Sequence, residues 1–312
     1  MRHFLKSLVA VFALIVATGP MAGAADFLYV SLDDNTIVKY DTTGIDGNVI
    51  AATASTFANT NLSNPQGLVF DSTGNLYVAN QTGNTISKFN ASGTYVSNIN
   101  ANLSDPRGLA IDPTGNLFAA NWSTSSISKF NSGGVFQSTF GNGDLNQPHG
   151  LAFDSSNTLY ATNIIGSTTS KFNTSNVYTG NISGNQAYPT GLAFDSAGYL
   201  YISAGDNPAF ISKFDPSGQY VSRITTNLSY PGGIAFDSSG NLYASNYDKT
   251  ISKYDSSGNY LTSWSTGTAR PAFIAFQSVT VPEPSTYALA AIASGVMAVV
   301  ARRRKARQIQ AS

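Results

Sequence analysis

The 312-residue chain has no cysteine, which excludes a disulfide framework and thiolate chemistry. Charged residues make up only 11% of it. Glutamate occurs once, at Glu283, and histidine twice, at His3 and His149. A zinc centre with three protein ligands needs more nitrogen or sulfur than His149 alone supplies to the body of the chain. The inventory of acids and bases is equally thin for catalysis. No metal, no cofactor and no catalytic residue is therefore expected. The formal net charge is zero, but it is unevenly spread. Arg2 and Lys6 lie at one end; Arg302, Arg303, Arg304, Lys305 and Arg307 lie at the other. Ten basic residues remain between 25 and 281, against sixteen aspartates. A mildly acidic body excludes nucleic acid as a partner, because phosphate binding requires a basic surface.

What is present begins with two terminal addresses. Residues 1–24 read as a secretory signal peptide, with a charged start, an apolar stretch over 8–18 and the small-residue site Ala22-Gly23-Ala24. Cleavage is expected between Ala24 and Ala25. At the other end, a linker over 279–286 contains Pro282, Glu283 and Pro284. An apolar run over 287–301 and a basic tail over 302–312 follow. Fifteen helical residues span about 22 Å, short of the roughly 30 Å hydrocarbon core. A transmembrane helix there needs flanking residues drawn in or basic side chains that snorkel. The basic cluster should stay cytoplasmic, which puts the body outside.

This order of Pro-Glu-Pro, apolar run and basic cluster resembles the PEP-CTERM sorting signal of Gram-negative bacteria. The resemblance implies processing by an exosortase, an inner-membrane cysteine protease. It implies transient membrane anchoring and a final place at the cell surface or in the extracellular matrix. It also implies a host that makes extracellular polysaccharide.

Between the ends runs a repeat of about 41 residues. Five copies open at Pro65, Pro106, Pro148, Pro189 and Pro231, each with a glycine two residues on: Gly67, Gly108, Gly150, Gly191 and Gly233. Each copy holds four short strand-like runs separated by turn residues. A Gly-centred turn follows the first run, at Gly74, Gly115, Gly198 and Gly240. The copy opening at Pro148 carries Asn157 there, the next residue best suited to a left-handed backbone. A later turn repeats the pattern at Gly93, Gly134, Gly218 and Gly258, with Asn176 in that same copy. Four antiparallel strands per unit make a propeller blade, and blades must stack in a ring to bury their faces. Residues 27–31 and 37–41 match second and third strands, and 271–276 match a first strand. The two ends thus share one blade. The expected fold is all-β, a six-bladed propeller over 25–278. The pattern resembles NHL-repeat propellers, a fold that hosts enzymes, receptors and scaffolds.

Asp71, Asp112, Asp154, Asp195 and Asp237 recur at the first turn and should cap it. Lys39, Lys88, Lys129, Lys171, Lys213 and Lys253 recur once per blade, and a within-blade ion pair with that Asp is expected. The shared blade has Gln277 in place of the Asp, so the pair should be missing there. Candidate ligand contacts come from what breaks the repeat. After the opening prolines stand Gln66, Arg107, His149, Thr190, Gly232 and Ala272; Arg107 and His149 are the chemically strong ones. The same rim should carry Asn80, Asn121, Asn163 and Asn246, with Trp122, Tyr188, Tyr230 and Tyr247. Aromatic faces beside amides suit a sugar polymer. The expectation is a non-enzymatic binding or scaffold module for extracellular polysaccharide or a surface protein. The alternative is a lyase or hydrolase acting on an extracellular polymer or lactone, since propellers that resemble this one include lyases and lactonases with a metal in the central channel. Asp side chains converging on His149 would favour it.

Overall fold

The structure, a computed structural model, describes residues 25–42 and 53–279. The expected signal peptide, the Pro-Glu-Pro linker beyond 279, the transmembrane helix and the basic tail lie outside the described residues. Among the described residues no helix is long and apolar enough to cross a membrane.

Alternation of aromatic and β-branched residues with small polar ones drives each repeat into four strands. In blade 1 these are β4 (Pro65–Phe70), β5 (Leu76–Asn80), β6 (Thr85–Phe89) and β7 (Tyr95–Ile99), hydrogen-bonded in that order. Four further blades repeat the meander from Pro106, Pro148, Pro189 and Pro231. The sixth blade has the order β24-β1-β2-β3. It joins β24 (Pro271–Val279) to β1 (Ala25–Leu32), β2 (Thr36–Asp41) and β3 (Thr53–Ala58). Leu28 faces Phe276 and Tyr29 faces Ala275 across the junction, so the two ends of the body close the ring and neither leaves an open edge there. The fold is an all-β six-bladed propeller of four-stranded antiparallel blades.

The first turns behave as their sequence demands. Asp71 Oδ1 accepts the N–H groups of Thr73 at 3.0 Å and Asn75 at 2.9 Å. Gly74 has φ 82° and Asn157 φ 61° at the matched position. The blade ion pair forms between Lys88 and Asp71 at 3.7 Å and between Lys213 and Asp195 at 3.8 Å. In the shared blade Lys39 lies over the Phe27 ring at 3.6 Å. There Gln277 accepts from the Tyr29 hydroxyl at 2.8 Å.

The core is a ring of seams rather than a centre. Each of six buried clusters joins two neighbouring blades; Leu76 and Phe89 of blade 1 meet Tyr29 and Ile37 of blade 6, for example. The first strands stand innermost and pack side by side around the axis, with β24 against β4 closing the circle.

Candidate ligand-binding rim

All six first strands begin on the same rim, where the turns between second and third strands also lie, since Pro65 is opposite Asn80 and Asn80 opposite Thr85. The rim asparagines do not face solvent. Asn121 is 2% exposed; its Oδ1 accepts the Ser104 N–H at 3.0 Å and its Nδ2 donates to Ser128 Oγ at 2.9 Å. Asn163 is built the same way between Asn146 N–H and Ser170 Oγ. Asn80 and Asn246 repeat it. Asn121 and Asn163, expected among the ligand contacts, have their side-chain amides engaged inside the protein. Both amides tie the incoming loop to the third strand, and an unpaired buried amide would be costly.

Toward the axis, the opening glycines let neighbouring backbones touch. A Cβ on Gly67 would collide with the Arg107 carbonyl, and one on Gly108 with the His149 carbonyl. The channel inside is a cavity of about 110 Å³ lined by Gly67, Gly108, Gly150 and Gly191 and by Leu68, Leu109 and Ile274. The shared blade alone has no glycine at this position; it has Phe273. The Phe273 ring stacks on His149 across the axis, with centroids 5.2 Å apart and planes at 20°. His149 also meets Trp122 edge-on at 6.0 Å. The Arg107 guanidinium lies 4.8 Å from the Trp122 ring centre, and its Nε is 2.9 Å from Asp105 Oδ1.

Arg107, Trp122 and His149 are thus brought together, with Phe273 as the member that sequence reasoning missed. The signal was present, because Pro271-Ala272-Phe273 is the one opening triplet that breaks the Pro-x-Gly rule. His149 is 9% exposed and its Nδ1 has no hydrogen-bond partner. Burial, reinforced by the Arg107 charge, lowers its pKa to about 3, so the ring is neutral at ordinary pH. The aspartate near this group is already paired with Arg107. Among the described residues no three His, Asp or Glu side chains gather closely enough to hold a metal ion.

A second group stands further out. Tyr188, Tyr230 and Tyr247 are 54%, 52% and 55% exposed. The rings of Tyr230 and Tyr247 are 6.4 Å apart at 70°. The exposed Arg270 places its guanidinium 4.2 Å from the centre of Tyr247. The sequence reading had not singled out Arg270, which directly precedes Pro271. Tyr188 and Tyr230 precede the opening prolines of blades 4 and 5 with φ 47° and 43°. At the equivalent positions Asn64, Asp105 and Gln147 have φ 51°, 54° and 52°. Left-handed backbone is uncommon outside glycine and most costly for bulky side chains, of order 1–3 kcal/mol each.

Residues 280–305 match the PEP-CTERM protein-sorting motif. The chain carries a PEP-CTERM sorting signal. That signal implies export in a Gram-negative bacterium, membrane anchoring before processing, and recognition by an exosortase. Comparison with curated proteins finds no match. Among solved structures, a chain from a nidogen–laminin complex aligns with TM-score 0.72 and 18% identity over 80% of this chain and 98% of that one. Virginiamycin B lyase from Staphylococcus aureus aligns with TM-score 0.56 and 17% identity over 70% and 85%. A gluconolactonase from Xanthomonas campestris aligns with TM-score 0.58 and 15% identity over 82% and 90%. At such identities the likeness establishes the fold and is consistent with an NHL-type propeller.

Proposed function

We propose that this PEP-CTERM chain is a cell-envelope binding module that holds extracellular polysaccharide on its tyrosine rim, at the cell surface or in the extracellular matrix. One observation carries the reading. Tyr188, Tyr230 and Tyr247 each leave more than half of their surface in solvent on the same rim. Exposed aromatic rings that carry their own hydroxyls match the alternating apolar faces and polar edges of a sugar chain. The lyase or hydrolase alternative, despite the lyase and lactonase folds noted above, has less support. Its axial site is filled by the Phe273–His149 stack, and Asp105 answers Arg107 rather than His149.

A glycan array probed with the purified chain tests this. Wild type is expected to bind one or more polysaccharide fragments. A Tyr230→Ala, Tyr247→Ala double variant should lose about tenfold or more in affinity, as aromatic anchors do. Trp122→Ala should matter less, because Trp122 is already packed between Arg107 and His149. An array on which wild type binds nothing, or on which the double variant equals wild type, overturns the proposal.

A further inference from the structure

The tyrosines before the opening prolines oppose the economy of the fold. Asparagine, aspartate and glutamine occupy the same left-handed position in blades 1, 2 and 3. A bulky aromatic is therefore not required by the turn, and it is the least suited of the four to that backbone. Nor does burial compensate, since Tyr188 and Tyr230 are each more than half exposed. Folding alone gives no reason to keep them.

Charge adds a direction to that surface. Ion pairs join Lys88 to Asp71, Arg107 to Asp105 and Lys213 to Asp195. Arg270 belongs to none of them. Its backbone is pinned, because its N–H donates to Asp33 Oδ1 at 2.8 Å and its carbonyl accepts from the Asp33 N–H at 3.0 Å. That engages one Asp33 carboxylate oxygen with the main chain. The Arg270 guanidinium lies on the Tyr247 face and is open to solvent. Asp34 and Asp248, the other acids of the flanking turns, accept from Thr36 and Thr250 at 2.6 Å. An arginine held over an aromatic ring offers its guanidinium fork to a carboxylate beside a stacking platform.

We infer that the rim from Tyr230 through Tyr247 to Arg270 is selective for carboxylate-bearing polysaccharide. Sugar faces stack on the tyrosines and a uronate carboxylate pairs with Arg270. Tyr188 extends the platform to a neighbouring length of the same strand. This rests on the polysaccharide reading above and narrows it to one chemical class.

The test uses the full-length chain in detergent and two probes that share a backbone, polygalacturonate and its fully methyl-esterified form. Affinity and melting temperature are measured for wild type, Arg270→Gln, Tyr188→Asn and Tyr230→Asn. Wild type should prefer the acid form by about tenfold, and added salt should erode that preference. Arg270→Gln should bind both forms equally, at the affinity wild type has for the ester. Tyr188→Asn and Tyr230→Asn should weaken both forms while melting at or above the wild-type temperature. Equal wild-type affinity for the two probes, or a preference that survives Arg270→Gln, overturns the inference and leaves the polysaccharide reading intact. So does binding of neutral glycans on the array with neither probe bound. A clear fall in melting temperature in both asparagine variants overturns the argument that the tyrosines are kept for binding. Absence of binding to both probes and to every arrayed glycan overturns both proposals.

Discussion

His149 is a neutral imidazole enclosed by Phe273, Trp122 and Arg107, and its enclosure has a measurable consequence. Its folded pKa is lowered to about 3 by burial and the Arg107 charge, whereas an unfolded histidine titrates near 6.5. Between these values the unfolded chain binds a proton that the folded chain refuses. Stability is therefore complete above about pH 6.5 and declines as pH falls, by about 1.4 kcal/mol per pH unit. The melting temperature should drop between pH 6 and pH 4, and His149→Phe, which keeps a ring against Phe273, should flatten that part of the profile. An unchanged slope in the variant would show that His149 is not the group responsible. Asp71 and Asp112 act in a separate, more acidic window. Burial pushes their carboxyls up, but hydrogen bonds from the Asn and Thr of their own turns outweigh it and hold them below the usual carboxylate range. Their contribution is present above about pH 4 and is lost as pH falls through the lowered values.

The second strands differ at one position that decides how blades are joined. Ser31, Thr162, Ser203 and Ser245 each donate to the carbonyl of the residue after the next blade's opening proline, at 2.6–2.8 Å. Blades 1 and 2 have Ala79 and Ala120 there, both fully buried. The carbonyls thus left without this hydroxyl are those of Arg107 and His149. Ala79→Ser and Ala120→Ser should restore the bond and raise stability by about 0.5–1.5 kcal/mol each, read as a higher melting temperature; a lower one would mean that the two seams have no room for the oxygen.

Elements of this kind also show what a sequence discloses. The blades were legible because Pro-x-Gly and the Asp-capped turn are local demands, met the same way in every copy. The strand Thr53–Ala58 was not, since it follows a stretch with no repeat signature and is paired only to Thr36–Asp41. The burial of Asn121 and Asn163 was not legible, because an amide reads alike in solvent and against a buried serine seven residues on. Phe273 was visible as a broken glycine rule, but its partner His149 lies on the far side of the ring.

At the scale of the whole molecule, the PEP-CTERM signal directs delivery, and the reading proposed above leaves recognition to the propeller. Sorting predicts a definite covalent product. Mass spectrometry of the protein recovered from the outer envelope or matrix should find a chain starting at Ala25 and lacking residues 302–307. Recovery of those residues in that fraction would contradict exosortase processing. The propeller itself should tolerate the cut, because its ring is completed by Val279 opposite Ala25, upstream of the motif.

The direction of β24 has a last consequence. It starts at Pro271 on the tyrosine rim and ends at Val279, where its Cα partner is Ala25. Ala25 and Val279 therefore sit side by side at the rim opposite Tyr188, Tyr230 and Tyr247. A label or partner fused at either residue starts from the side away from those rings, so one preparation can be immobilised and probed with its tyrosines uncovered.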